Sequence, residues 1–297
     1  MDFLQFASSH GLIVNSVYPS DKIQRCPTVT KPRKKNGAYW FDGLCGWILN
    51  WEDGNTQALW WKDESAHVTE HDRERVRALR VARQRKEAAL HRQASEKAAK
   101  MMREADEGEH YYLRHKAEGK AKQLAGQKVL VLNHEMLIPM YHATTGELLG
   151  LQRIFVEDNK WTKKFLYGSN TDLAVFVIGS GRVKILCEGY ATGLSIKAAC
   201  DNAGLSASVI VCFTAGNIVK VAAALKPDLI FADHDAPKIE GREFGTGIEV
   251  AMRTGFPWCC SPVEGEDAND LHQRAGILRV QAIIVDKLSR SHAKHLQ

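Results

Sequence analysis

The chain has 297 residues, 44% of them hydrophobic, and its 40 Lys and Arg outnumber its 35 Asp and Glu for a net charge of +5. That is enough to bury a real core in one principal domain with an appendage or two. No apolar run approaches a membrane span, and Asp2 stands where a secretory signal would carry positive charge, so a cytoplasmic protein with no membrane partner is expected. Its seven cysteines include no CxxC pair and sit mostly in apolar runs, which reads as reduced core residues and disfavours a zinc ribbon.

Residues 1–63 read as a β-rich module. In GAYWFDGLCGWILNWEDGNTQALWW the Asp42-Gly43 and Asp53-Gly54 steps are hairpin signals, which predicts a three-stranded meander. KPRKK precedes it, so Lys31, Arg33, Lys34 and Lys35 border a cluster holding Tyr39, Trp40, Phe41, Trp47 and Trp51. Cations beside rings suit single-stranded nucleic acid, with its phosphates and stackable bases. A tiny sheet also needs large rings merely to have a core, and both readings stand at this point.

Residues 64–124 read as a charged helical connector. From Thr69, which with Asp72 resembles a capping box, to Ala105 there is no Pro or Gly, and Ala, Arg, Lys, Glu and Gln dominate. Between Arg73 and Arg103, eleven Lys or Arg stand against three Glu, a net of +8 that exceeds the charge of the whole chain. The apolar stripe, which includes Leu90, Ala94 and Met101, is thin. A solvated connector is the favoured reading over a nucleic-acid contact.

Residues 125–180 return to strands, with turn chemistry at Thr145-Gly146 and Asp158-Asn159 and with Arg153, Lys163 and Lys164 on the meander. Over 181–297 strands and helices alternate: VKILC, ATGLSIKAACDN, SVIVC, NIVKVAAAL, LIFA, GIEVAMRT, FPWCC. That pattern specifies an α/β fold, a Rossmann-like parallel sheet with helices on both faces, and such sheets gather ligands at the carboxyl ends of their strands. Acids stand at three of those ends: Glu188 after VKILC, Asp233 and Asp235 after LIFA, Asp267 and Asp270 after FPWCC. Uncompensated, such a cluster is costly; Mg²⁺, which prefers hard oxygen ligands, makes it favourable. GSGRVK lacks the Gly-Lys-Ser/Thr ending of a P-loop and precedes a strand, so any helicase is a separate protein.

CEGYATGLSI, FADHDAP and GEDANDL resemble the three acidic motifs of the Toprim domain, shared by primases, topoisomerases and some nucleases. A finer resemblance, to primases of phages and conjugative plasmids, extends to LIPM…GELLGLQRI…KKFLYG and to KPRKKNGAYWFDG. It implies a Toprim-type catalytic domain that makes short RNA primers by two-metal nucleotidyl transfer with Mg²⁺ or Mn²⁺. Single-stranded DNA template, ribonucleoside triphosphates and a replicative helicase would be its partners, in the cytoplasm of a bacterial host. Residue by residue, Glu188 would be the acid beside the attacking hydroxyl, Asp233 and Asp235 would hold the metals, and Asp267 would complete their shell. Arg153 and one of Lys163 or Lys164 would take nucleotide phosphates. Many such primases carry a further acid four residues after the first; this chain has Thr192, so one metal ligand is lost or supplied by Asp270. His234 is unusual between the two Asp residues and reads as a bystander. A Toprim nuclease using the same acids, or a non-catalytic nucleic-acid-binding protein with a degenerate site, is the alternative.

Overall fold

The computed structural model describes residues 1–52, 57–61, 70–237 and 243–295. The Asp53-Gly54 turn and the Thr69 cap lie outside them. The chain divides into two units, Met1–Ala89 and Leu90–Gln297, each with its own core.

In the first unit, helix α1 (Phe3–Ser9) starts at a capping box, Asp2 accepting from the Gln5 N–H while the Gln5 side chain accepts from Asp2. Strands β1 (Gln24–Cys26), β2 (Gly37–Phe41), β3 (Cys45–Asn50) and β4 (Gln57–Trp61) then form one antiparallel sheet in chain order. The expected three strands are therefore four. β1 has three residues and one buried side chain, too little to leave a period-2 pattern. Pleat alternation divides the rings: Tyr39, Phe41 and Trp60 pack with Phe3 of α1 and Ile48, while Trp40 and Trp47 stand opposite one another on the other face. Trp40 is buried with the guanidinium of Arg83, from helix α2 (Glu70–Glu104), 5.1 Å from its ring centre.

The connection between β1 and β2 exposes Lys31, Arg33, Lys34 and Lys35. Glu52 ties its two ends together, accepting from Thr28 Oγ1 at 2.9 Å and Asn36 Nδ2 at 3.1 Å, with Lys31 at 3.7 Å. Beside it the Arg25 guanidinium lies 3.9 Å from the ring centre of Trp51. The β2–β3 turn depends on Asp42, which is fully buried and accepts from the backbone N–H groups of Leu44 and Cys45 and from Arg80.

The second unit begins inside α2. The thin stripe is seated here, where Ala94 and Ala98 are buried and Ala98 packs on Leu137, Leu151 and Leu166, so the helix is not solvated along its whole length. Strands β5 (Asp106–Gly108), β6 (Val129–Leu132), β7 (Glu135–His142), β8 (Leu148–Glu157) and β9 (Lys160–Phe165) are antiparallel, with helix α3 (Tyr111–Lys116) between β5 and β6. The turn between β8 and β9 puts Asp158 and Asn159 at φ 49° and 58°, the left-handed pair that a two-residue hairpin needs. β10 (Ala174–Ile178) then joins this meander to the parallel strands, pairing with β7 on one edge and with β12 on the other.

Those parallel strands are β11 (Val183–Cys187), β12 (Ala207–Val211), β13 (Leu229–Ala232) and β14 (Trp258–Cys260), in spatial order β14-β13-β11-β12. Helices α5 (Ala215–Leu225) and α6 (Thr246–Thr254) cover one face; α4 (Tyr190–Asn202), α7 (Ala268–Ala275) and α8 (Ile277–His295) cover the other. This is the doubly covered α/β sheet that the alternation predicts, within a mixed ten-stranded sheet. All seven cysteines are free and six are buried. Burial pushes the thiols of Cys26 and Cys45 up to about 11 and that of Cys200 up to about 12. No described helix is long and apolar enough to cross a membrane.

Asp42 yields a stability prediction. Burial works to raise its carboxyl, but the Cys45 and Leu44 N–H groups and Arg80 hold it below the usual carboxylate range. Asp42→Ala should cost about 2–3 kcal/mol in chemical denaturation, because the buried Cys45 N–H and the part-buried Leu44 N–H lose their acceptor; Arg80→Ala, which removes a half-exposed side chain, should cost less. A folded-state pKa below the unfolded one gives stability that is complete above about pH 4 and fades as pH falls through the folded value. That acid limb should be weaker in Asp42→Ala.

Candidate active site

β11 sits between β12 and β13. The chain leaves β11 through α4 to reach β12 on one side, then returns through α5 to β13 on the other, so the connections after β11 and β13 pass to opposite faces and make this the switch point of the sheet. Glu188 follows β11 and Asp233 follows β13, whose Ile230 is paired with Leu186. Pairing with the β12 side continues past the end of β11: Cys212 N–H donates to the Cys187 carbonyl at 2.8 Å and Phe213 N–H to the Glu188 carbonyl at 2.9 Å. Phe213 pays for this with a left-handed φ of 66°, strain typical of functional sites, and its buried ring packs edge-on to Phe165.

The segment carrying Asp233 and Asp235 is clamped from two sides. His234 Nδ1 donates to the Ser261 carbonyl at 2.8 Å, so the ring staples this segment to the loop after β14. On the other side α6 starts hard against the backbone. A Cβ on Gly245 would lie 2.0 Å from the Asp235 carbonyl oxygen, and one on Gly247 would lie 2.3 Å from that of Asp233.

Asp267 caps α7, its Oδ1 accepting from the Asn269 and Asp270 N–H groups at 2.7 and 2.9 Å, and Asp270 completes a capping box. Thr192 donates its hydroxyl to Asp267 Oδ2 at 2.8 Å. A carboxylate at position 192 would repel Asp267; the threonine holds it. Asp270 faces Lys116 at 3.7 Å. Below them Asn269, fully buried, donates to the Lys116 carbonyl and to Ser195, which also bonds His272, so α3, α4 and α7 are locked together.

The charges converge on Asp233. Burial, then the carboxylates of Asp267, Glu188 and Asp235, push its carboxyl up to about 8, with Lys163 acting in the opposite sense. Among the described residues Asp233 Oδ1, which is enclosed, has no hydrogen-bond partner, a condition that ordinarily costs about 1–3 kcal/mol. The structure therefore brings Glu188, Asp233, Asp235 and Asp267 into one field, adds Asp270 beside Asp267, and supplies Lys163 from the meander.

It does not bring Arg153 and Lys164 there. They are directly paired across β8 and β9 and so share a face, whereas Lys163 is paired with buried Ile154 on the opposite face. Arg153 is held by Glu135 through two contacts of 2.6 Å and Lys164 by Glu157 at 2.8 Å. Arg153, expected to take nucleotide phosphates, is thus already paired with a carboxylate, and of Lys163 and Lys164 it is Lys163 that acts on Asp233. Lys31, Arg33, Lys34 and Lys35 belong to the other unit and are described there.

A parallel sheet with acids gathered at its switch point is an architecture that can hold a divalent cation. Residues 183–277 match the family model of the Toprim domain, so the chain contains one. Toprim domains occur in enzymes acting on nucleic acids and bind Mg²⁺ through acidic residues. No curated protein matches the chain.

Among the described residues no three His, Cys, Asp or Glu side chains form a ready-made metal cage. The donor set nonetheless fits a hard divalent cation: it is all oxygen, mutually repelling, and includes the enclosed, unpartnered Asp233 Oδ1. Sequence reasoning missed Phe213, whose strain leaves no trace in a strand-like run, and the Thr192–Asp267 bond, which joins residues 75 apart.

The metal-free protein should show the Asp233 repulsion directly. A carboxyl raised above its unfolded value makes the folded state bind more protons between about pH 4 and 8, so stability falls as pH rises through that window. Asp233→Asn should flatten that slope and raise the melting temperature near pH 8, while Mg²⁺ should stabilise only the unsubstituted protein. Equal thermal shifts with Mg²⁺ in both would refute the metal site.

Proposed function

We propose that the protein is a primase, synthesising short RNA primers on single-stranded DNA in phage or plasmid replication. The observation that carries this is the convergence of Glu188, Asp233, Asp235 and Asp267 at the switch point between β11 and β13, with Lys163 facing the same acids. In this reading Asp233, Asp235 and Asp267 hold Mg²⁺ or Mn²⁺, with Asp270 beside them. The bound metal would lower the pKa of a primer 3′ hydroxyl and neutralise the departing pyrophosphate.

The chain's own residues do the rest. Glu188, fixed through its carbonyl by Phe213, accepts the proton of the 3′ hydroxyl. Lys163 sets a positive charge against the nucleotide triphosphate. Thr192 and the α7 cap hold the Asp267 carboxylate in place, Thr192 on Oδ2 and the Asn269 and Asp270 N–H groups on Oδ1. In the first unit, Lys31, Arg33, Lys34 and Lys35 on the exposed connection take the template backbone. A separate helicase would open the duplex.

Synthesis and cutting use the same acids, and the product separates them. With single-stranded DNA, Mg²⁺ or Mn²⁺ and four labelled ribonucleotides, the protein should make oligomers a few nucleotides long and leave the DNA whole. Glu188→Gln should make none while still binding template and nucleotide, since neither needs the proton acceptor. Shortened DNA without oligomers would replace this reading with a nuclease. Lys163→Ala should weaken nucleotide binding, and Lys164→Ala or Arg153→Ala should leave it nearly unchanged.

Template binding has its own measurement. Replacing Lys31, Arg33, Lys34 and Lys35 by Ala should weaken single-strand binding and flatten its log–log salt dependence by about 0.7 for each phosphate no longer neutralised. The same number of changes at exposed Arg or Lys of α2 should do little, and the opposite pattern would move the template site to the helix.

A further inference from the structure

Of the rings on the first unit's sheet, Tyr39, Phe41 and Trp60 pack in the core around Phe3, and Trp40 is buried with Arg83 at its ring. Trp51 is partly exposed and lies outside that core. Strand pairing places it. Arg25 of β1 is paired with Ala38 and Ala38 with Leu49, so these residues share the sheet face that looks away from the core, and Trp51, two residues past Leu49, follows on the same side. Its N–H extends the ladder by one bond, to the Asn36 carbonyl at 3.1 Å. The Arg25 guanidinium lies over the indole, 3.9 Å from its centre, and donates to the Lys35 carbonyl at 2.8 Å. One cation thus holds both the ring and the far end of the β1–β2 connection. Glu52, next in the chain, ties the same connection through Thr28, Asn36 and Lys31. The segment carrying Lys31, Arg33, Lys34 and Lys35 is therefore anchored beside Trp51. Trp61 is 67% exposed, but it stands on β4, at the opposite edge of the sheet from β1.

A basic loop alone neutralises phosphates and carries no contact to a base. An indole with a guanidinium laid over it adds a flat surface, and both groups stack on bases that are unpaired. We infer that Trp51, with Arg25, is the base-stacking position of the template site, where a base of single-stranded DNA packs on this surface while the flanking phosphates lie along Lys31, Arg33, Lys34 and Lys35. Charge decides the occupant. Five cations, Arg25 included, surround one partly exposed ring, which suits an unpaired polynucleotide and repels a second copy of the same face. This rests on the template reading given above and deepens it, because template binding gains a part that requires bases and that salt does not screen.

The test uses the full-length protein and two labelled oligomers of equal length and charge, single-stranded thymidine DNA and its abasic counterpart, with binding followed by anisotropy. The wild type should prefer the thymidine oligomer. Trp51→Ala should lose at least about five-fold on that oligomer, the lower end of what one stacked base contributes, and nothing on the abasic one, with its log–log salt dependence unchanged. Trp51→Phe, which keeps a ring, should recover most of the loss. Equal losses on the two oligomers would mean that the ring only shapes the connection and would overturn the inference, as would a wild type that binds both alike. If replacing Lys31, Arg33, Lys34 and Lys35 by Ala weakens binding and Trp51→Ala does not, the template reading stands and the stacking role alone falls. If that four-residue change leaves binding as it was, the template reading fails and this inference with it. Should Trp51→Ala fail to fold, Trp51→Phe decides: its tryptophan fluorescence must be quenched less than that of the wild type when the thymidine oligomer binds, and equal quenching overturns the inference.

Discussion

Like charges held together in a half-buried place are the constraint on which the second unit is built. Asp233 takes the largest share, because it combines an enclosed oxygen with three neighbouring carboxylates. Left to themselves these side chains would swing apart, and most of the local structure prevents it. The continued pairing at Cys187 and Glu188, the His234 staple, the two glycines of α6 and the Thr192 bond each restrain one acid or its backbone. Such restraint stores repulsion that a bound cation relieves, so binding and local stability are coupled.

The same logic separates the cations. An Arg or Lys that already faces a carboxylate at hydrogen-bond distance contributes little field elsewhere, which is the situation of Arg153 with Glu135 and Lys164 with Glu157. Lys163 differs by one position in the chain and by a whole face of the sheet. In the first unit, pleat alternation makes a comparable division among the rings. Tyr39 and Phe41 are core and Trp40 is covered by Arg83, while Leu59 and Trp61 on the edge strand are 64% and 67% exposed.

Much of this was legible in the sequence where one residue type carries one physical demand. LIFA, wholly apolar before Asp233 and flanked by Pro227 and Pro237, reads as a buried strand, and the alternation after Val183 specifies a covered parallel sheet. The acids were legible for the same reason, three strand ends each closing on a carboxylate. What stayed hidden depends on distant pairing. β1 exists because β2 offers it an edge, and β10 because it bridges β7 and β12, so neither announces itself locally. The seating of Ala94 and Ala98 was hidden too, since alanine reads as helix propensity until a partner surface is known. Arg153 and Lys164 looked available because the sequence shows charges and not their partners.

The free thiols have a practical consequence. Cys26 and Cys45 are buried in the first unit and Cys187, Cys200, Cys212 and Cys259 in the second, and burial keeps all six protonated, the form that alkylating reagents hardly attack. Each becomes reactive when its surroundings open, so labelling rates followed cysteine by cysteine report the opening free energy of the two units separately, within one chain and without an added probe. Cys187 is the most telling of them, because it immediately precedes Glu188: its alkylation clock would register a loosening of the acid cluster itself.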